Sequence, residues 1–192
     1  MTIVLLGGSP STPSTTWRLQ QQVGERLAAR GHRTITLHVR DLPAEALLRA
    51  DVKDPAIAQA AALVRDADAI VVGTPVYKAS FSGVLKAFLD LLPQDGLADK
   101  LVLPLATGGS QSHMLAIDYA LRPVLASLGP RQILPGIYST SEQLPWTADH
   151  GLQVAPAIAS RVETGAQHLS HELQQLQILK AALAARAEAI AA

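Results

Sequence analysis

The chain has 192 residues, 48% of them hydrophobic, with sixteen basic against sixteen acidic side chains and no cysteine. That length suits one buried core in a single domain over residues 1–192, and the zero formal charge argues against nucleic acid as the main partner. The missing cysteines exclude a disulfide framework, a thiolate nucleophile and a cysteine-bound metal. "MTIVLLGG" does not read as a convincing signal peptide and no apolar run reaches membrane-span length, so the expectation is a cytoplasmic protein with no membrane partner.

Residues 2–6 are apolar, rich in β-branched side chains and followed by two glycines, which predicts a buried strand. Residues 14–29 place Leu19, Val23 and Leu27 on one helical face. A turn at Gly31 leads to a second strand ending near Val39, and "DLPAEALLRADVKDP" predicts a connection with a short helical turn. A helix over 56–66 precedes a third strand, "ADAIVVGTP", which is expected to end at Pro75. Ser80 or Ser82 is placed to start the next helix, with Val84, Leu85, Phe88 and Leu89 facing inward. "KLVLPLATGG" predicts a fourth strand, residues 112–128 a helix, and "RQILPGIY" a fifth strand. The last expected element is a helix over 153–187, packing through Ile158, Val162, Leu169, Leu173 and Leu176. This alternation predicts an α/β three-layer sandwich around a five-stranded, mostly parallel sheet.

In such sheets ligands collect beyond the carboxyl ends of the strands. Three loops leave those ends. The first, within "GGSPSTPSTTWRL" at residues 7–19, offers the hydroxyls of Ser9, Ser11, Ser14, Thr15 and Thr16 at a helix start. Such an end binds phosphate through its free amides and partial positive charge; the same residues also read as an elaborate helix cap. The loop is neither a G-x-G-x-x-G fingerprint nor a G-K-[ST] loop. The second, "GTPVYKASFSG", sets Pro75, Val76 and Tyr77 beside a planar heterocycle, with Lys78 either at the ligand or in solvent. The third, "ATGGSQSHML", brings Thr107, Gly108 and Gly109 close to a ring, and His113 reads equally as a ligand contact or a helix-end polar residue. No metal cluster and no hydrolytic triad emerge.

Taken together, "GGSPSTPS", "GTPVYKASFSG", "LPLATGGSQSH" and "DYALRPVL" resemble the bacterial NAD(P)H-dependent FMN reductases, in particular the reductase component of the two-component alkanesulfonate monooxygenase systems. The resemblance covers nearly the whole chain and weakens over the C-terminal helix. It implies a flavodoxin-like fold, hydride transfer from NADPH (or NADH) to FMN, and export of reduced FMN to a partner monooxygenase that releases sulfite. By position it implies Ser9, Ser14 and Thr16 at the FMN phosphate, Pro75 to Lys78 bordering the flavin and Thr107 to Gly109 approaching its ring. It also implies a homodimer or homotetramer. Related first loops carry an arginine where Ser11 and Thr15 stand here, a departure that bears on phosphate affinity and on the choice of NADPH over NADH.

"DYALRPVL" also carries a local signal. Pro123 has no amide for the Tyr119 carbonyl four residues earlier, so the helix must kink or widen there. The resemblance places Tyr119 on a π-helix at a subunit interface, where it favours flavin exchange over retention. Two other readings of the whole chain remain: a quinone or azo reductase that keeps its FMN, and a non-enzymatic electron-transfer flavodoxin. Against the latter, the chain is neutral rather than strongly acidic.

Overall fold

The computed structural model describes residues 1–191. Strands β1 (Thr2–Gly7), β2 (Arg33–His38), β3 (Ala69–Tyr77) and β5 (Leu101–Gly108) pair in parallel in the order β2-β1-β3-β5. The fifth position is filled by two short strands, β6 (Gln132–Ile133) and β7 (Ile137–Thr140), both parallel to β5. The chain steps from β1 outward to β2 and then back across β1 to β3, so the direction of progression reverses at β1 and β3. Crevices for ligands open at such reversals, on the carboxyl side.

Alternation along each strand divides the core. Ile3 and Leu5, Val71, and Leu103 and Leu105 pack under α1 (Thr15–Ala29) and α6 (Pro156–Ala191), meeting Leu19, Val23, Leu27, Ile158, Val162 and Leu169. Val4, Leu6, Ile70, Val72 and Val102 face the other way. They meet α3 (Pro55–Asp66), α4 (Gly83–Leu89) and α5 (Arg122–Ser127). A short α2 (Ala44–Leu48) lies in the connection before α3. Both faces of the sheet are therefore covered, as parallel strands apolar on both sides require.

Two expected boundaries move. The third strand does not stop at Pro75 but continues to Tyr77 and folds back onto β4 (Ser80–Phe81). Its two-residue turn holds Lys78 and Ala79 at φ 49° and 62°. Left-handed backbone costs a non-glycine residue roughly 1–2 kcal/mol, so this hairpin is held by its surroundings. Ser80 is thus in a strand, and Ser82 caps α4, its Oγ accepting the Leu85 N–H at 3.1 Å. The last helix starts at Pro156, not 153, because Gln153 and Ala155 donate to the Pro145 and Gln143 carbonyls instead. Between those loop residues lies an unanticipated hairpin, β8 (Trp146–Thr147) with β9 (Gly151–Leu152).

The helix expected over 112–128 is three pieces: a 3-10 turn at Gln111–His113, a π-helical turn at Ile117–Leu121, and α5. Pro123 supplies the reason. It has no N–H, and the backbone widens so that Arg122 N–H donates five residues back to Ile117. Arg122 then reaches across to the fifth strand position, donating to the Ile133 and Leu134 carbonyls at 3.1 and 3.2 Å where that position breaks before Pro135. Asp118 holds the same guanidinium at 3.1 Å.

One buried histidine, His32, and one half-buried, His38, make stability depend on pH. His32 Nε2 pairs with Ser170 Oγ at 2.8 Å, joining the start of β2 to α6, and His38 meets Trp17 edge-on. Burial lowers both imidazoles below the ordinary value of 6.5, with the N-terminal charge adding at His32 and Arg40 at His38. The unfolded chain therefore binds more protons than the folded one just below that value. Stability is full above about pH 6.5 and is lost as pH falls through the unfolded histidine pKa toward the folded ones. Thermal melting followed between about pH 8 and pH 5 is expected to show a plateau and then a decline, and His32→Gln is expected to soften that decline.

Candidate functional site

Three loops converge at the carboxyl edge. Gly8 N–H donates to the Gly73 carbonyl at 2.7 Å, and the Gly8 carbonyl accepts from Ser82 Oγ. Thr74 Oγ1 in turn accepts the Ser82 N–H at 2.9 Å, so the first two loops are tied by buried hydroxyls. A second tie joins the first loop to the third: Thr16 Oγ1 and Thr107 Oγ1 lie 2.6 Å apart, both buried, from residues 91 apart in sequence. Tyr138 of β7 braces the third loop by donating to the Ser110 carbonyl at 2.5 Å, and burial raises its phenol above the ordinary value. A side chain at Gly108 would collide with that phenol.

These ties enclose an open groove of about 230 Å³. Ser9, Ser11, Ser14, Thr15 and Thr16 line one side, and Pro75, Val76, Tyr77, Thr107, Gly108 and Gly109 line the rest. Pro13 and Ser141 complete it, neither singled out by the sequence. Lys78 lies outside, on the strained turn. His113 also lies outside, on the exposed 3-10 turn beyond Gly109. Tyr119 is elsewhere, 80% exposed on the π-helical turn, beside exposed Met114 and Leu115.

The hydroxyl side has the chemistry of an anion site. Ser14 is the cap of α1, its Oγ accepting Trp17 N–H at 3.1 Å, which leaves its own O–H free to donate outward. Among the described residues the backbone N–H groups of Thr15 and Thr16 have no acceptor. They stand at the positive end of a fifteen-residue helix. A cation reaches the loop from outside it: Arg40 donates to the Ser11 carbonyl at 2.6 Å. The parallel register explains it, because Gly7 pairs with His38 and the chain beyond each runs on side by side. Arg18, one turn into α1, is instead stacked over Trp146 at 5.1 Å. Opposite the hydroxyls, Tyr77 and the open Gly109, where a Cβ would meet nothing within 4 Å, leave room for a flat ring.

These residues fit FMN: free donors for a phosphate at one end, and a glycine and aromatic rim for a planar ring at the other. No group of three or more His, Asp or Glu placed to hold a metal occurs among the described residues, and none of their helices is long and apolar enough to cross a membrane.

Fold and groove together define a flavodoxin-like α/β protein with a hydroxyl-lined groove at the switch of its sheet. The family model for NADPH-dependent FMN reductase matches residues 1–144, three quarters of the chain. The chain is 49% identical over 146 residues to an FMN reductase (NADPH) of Pseudomonas putida, covering 76% of this chain and 74% of that one. It is 39% identical over 164 residues to an FMN reductase (NADPH) of Escherichia coli, covering 85% of each. Among solved structures it is similar to the apo form of the NADH:FMN oxidoreductase EMOB, with a TM-score of 0.81, 40% identity and 89% of each chain covered. The chain belongs to the NADPH-dependent FMN reductase family. It is an oxidoreductase with FMN and a reduced nicotinamide nucleotide as its ligands.

Proposed function

We propose that this enzyme reduces FMN with NADPH and then releases it, supplying reduced FMN to a separate monooxygenase of the alkanesulfonate-desulfonating kind in the cytoplasm. The observation that carries the release reading is the π-helical turn at Ile117–Leu121 with Tyr119 exposed on it. The exposed Tyr119, Met114 and Leu115 form an apolar surface suited to a second copy of the chain, in a homodimer or homotetramer. The shallow, open groove, with the Arg40 cation partly engaged by a backbone carbonyl, is suited to exchange rather than permanent retention.

FMN, when bound, supplies the redox chemistry by taking a hydride from the reduced nicotinamide. The chain orients and stabilises. Ser14 O–H and the Thr15 and Thr16 amides would hold the phosphate, assisted by Ser9 and Ser11, while Tyr77 and Pro75 would border the ring. The backbone at Thr107 to Gly109 would offer donors to the ring and stabilise negative charge on it. No side chain needs to take or give a proton.

Tyr119→Ala is expected to carry FMN through purification, turning a nearly colourless protein yellow, and to change its sedimentation. Unchanged flavin content together with unchanged assembly would remove Tyr119 from the release step. Mixed with an FMNH2-dependent alkanesulfonate monooxygenase, the wild-type protein is expected to drive sulfite release that stops when FMN is withheld.

A further inference from the structure

A second groove, of about 460 Å³, adjoins the flavin groove. It begins at Thr12, Pro13 and Ser14 and follows the outer face of α1, closed on its far side by Trp146 and Leu152 of the β8–β9 hairpin. Pro13 and Ser14 line both grooves, so the two meet at the phosphate loop.

Trp17 and Leu152 in its lining are partly buried against the core, whereas Thr12, Pro13, Gln21 and Glu25 stand exposed along it. Trp146 is 51% exposed, with the Arg18 guanidinium 5.1 Å from its ring centroid. Among the described residues Arg18 has no carboxylate partner. Arg40 enters from the other side, with Asp41 at 3.6 Å as its weak ion pair. Glu25, at the far end, is already engaged by Gln22 Nε2 at 3.0 Å. Two guanidiniums and two indoles, Trp17 and Trp146, thus line the groove against one hydrogen-bonded carboxylate. Aromatic and guanidinium planes hold a nucleobase by stacking, and guanidiniums suit a phosphate.

We infer that this groove is an adenylate subsite, taking the adenosine-phosphate half of a dinucleotide substrate. The inference rests on the flavin groove being where the other half sits. Two substrates carry such a half. In FAD the adenylate continues from the very phosphate that FMN places on the loop, which is where the grooves join. In NADPH it is the adenosine 2′-phosphate end of the hydride donor. Trp146 and Arg18 would stack the base in either case, with Arg40 near the phosphates.

The probe is 5′-AMP alone, followed by calorimetry and by quenching of tryptophan fluorescence, with KM measured in parallel for FMN, FAD, NADPH and NADH. The wild-type protein is expected to bind 5′-AMP, and Trp146→Ala and Arg18→Gln each to weaken that binding on the order of tenfold, the scale of one base–aromatic stack. If FAD is the source, KM for FAD rises by the same factor while KM values for FMN and NADPH hold. If the nicotinamide nucleotide is the source, KM for NADPH rises and the FAD-to-FMN ratio stays fixed. Absence of 5′-AMP binding, or binding indifferent to both substitutions, overturns the subsite while leaving FMN turnover intact. A wild-type protein that bound 5′-AMP but failed to reduce FMN would instead count against the flavin groove.

Discussion

Ser14→Asp is expected to raise KM for FMN on the order of a hundredfold while leaving the melting temperature within about 2 °C of wild type. Aspartate caps a helix as well as serine does, so the bond from Trp17 N–H is kept and α1 starts where it did. What changes is the groove. A carboxylate would replace the free O–H and stand within a few ångströms of the incoming phosphate, where like charges at an effective dielectric near 20 repel by a few kcal/mol. The substitution therefore separates the two roles of this serine, cap and anion donor. Riboflavin, which lacks the phosphate, supplies the internal control: its KM is expected to be nearly unchanged. An equal loss for both flavins would place the phosphate elsewhere.

The largest expected stability loss is at Gly73, in the middle of the sheet. A Cβ there would lie 2.6 Å from Gln20 Cδ and 2.7 Å from its Oε1. Gln20 has no exposed surface and its Nε2 donates to the Leu6 and Val71 carbonyls, each at 2.9 Å, stitching β1 to β3 from the helix above. It has nowhere to retreat, since its Oε1 is already buried without a partner. Gly73→Ala must therefore displace an amide that makes two buried hydrogen bonds. Overpacking and the unmet donors together cost about 3 kcal/mol, lowering the melting temperature by roughly 6–12 °C for a chain of this size. Gln20→Leu in the same background is expected to make matters worse, not better, because the branched side chain meets the same new methyl. A Gly73→Ala protein melting like wild type would show that Gln20 does not brace the sheet.

Period and punctuation made most of the fold legible. Short apolar runs with glycine at or near their ends marked β1, β3 and β5, and the helical spacing of Leu19, Val23 and Leu27 marked the buried face of α1. The fifth strand position was misjudged because "RQILPGIY" reads as one apolar run, whereas Pro135 cannot donate to a ladder and divides it. The helix beyond Gly109 was misjudged in extent, although Pro123 announced the disturbance near Tyr119. The β8–β9 hairpin has too few residues to show any alternation. At the groove, the residues carried by the loops themselves were visible as hydroxyls, glycines and one tyrosine. Those reaching in from neighbouring elements were not. Arg40 arrives through strand register and Tyr138 from β7, so their placement depends on the sheet order rather than on any local motif. The Thr16–Thr107 pair belongs to the same class: both residues were visible, but not their contact.

The central claim is that this enzyme takes up free FMN, reduces it and lets it go. The most direct test is oxidation of NADPH under air by flavin-free protein as FMN is titrated. Turnover is expected to be absent without FMN, to saturate as FMN is added, and to continue over many more cycles than there are enzyme molecules, with protein that is nearly colourless when repurified. Protein that retains FMN through purification, ignores added FMN and consumes NADPH only when a quinone is supplied would contradict it.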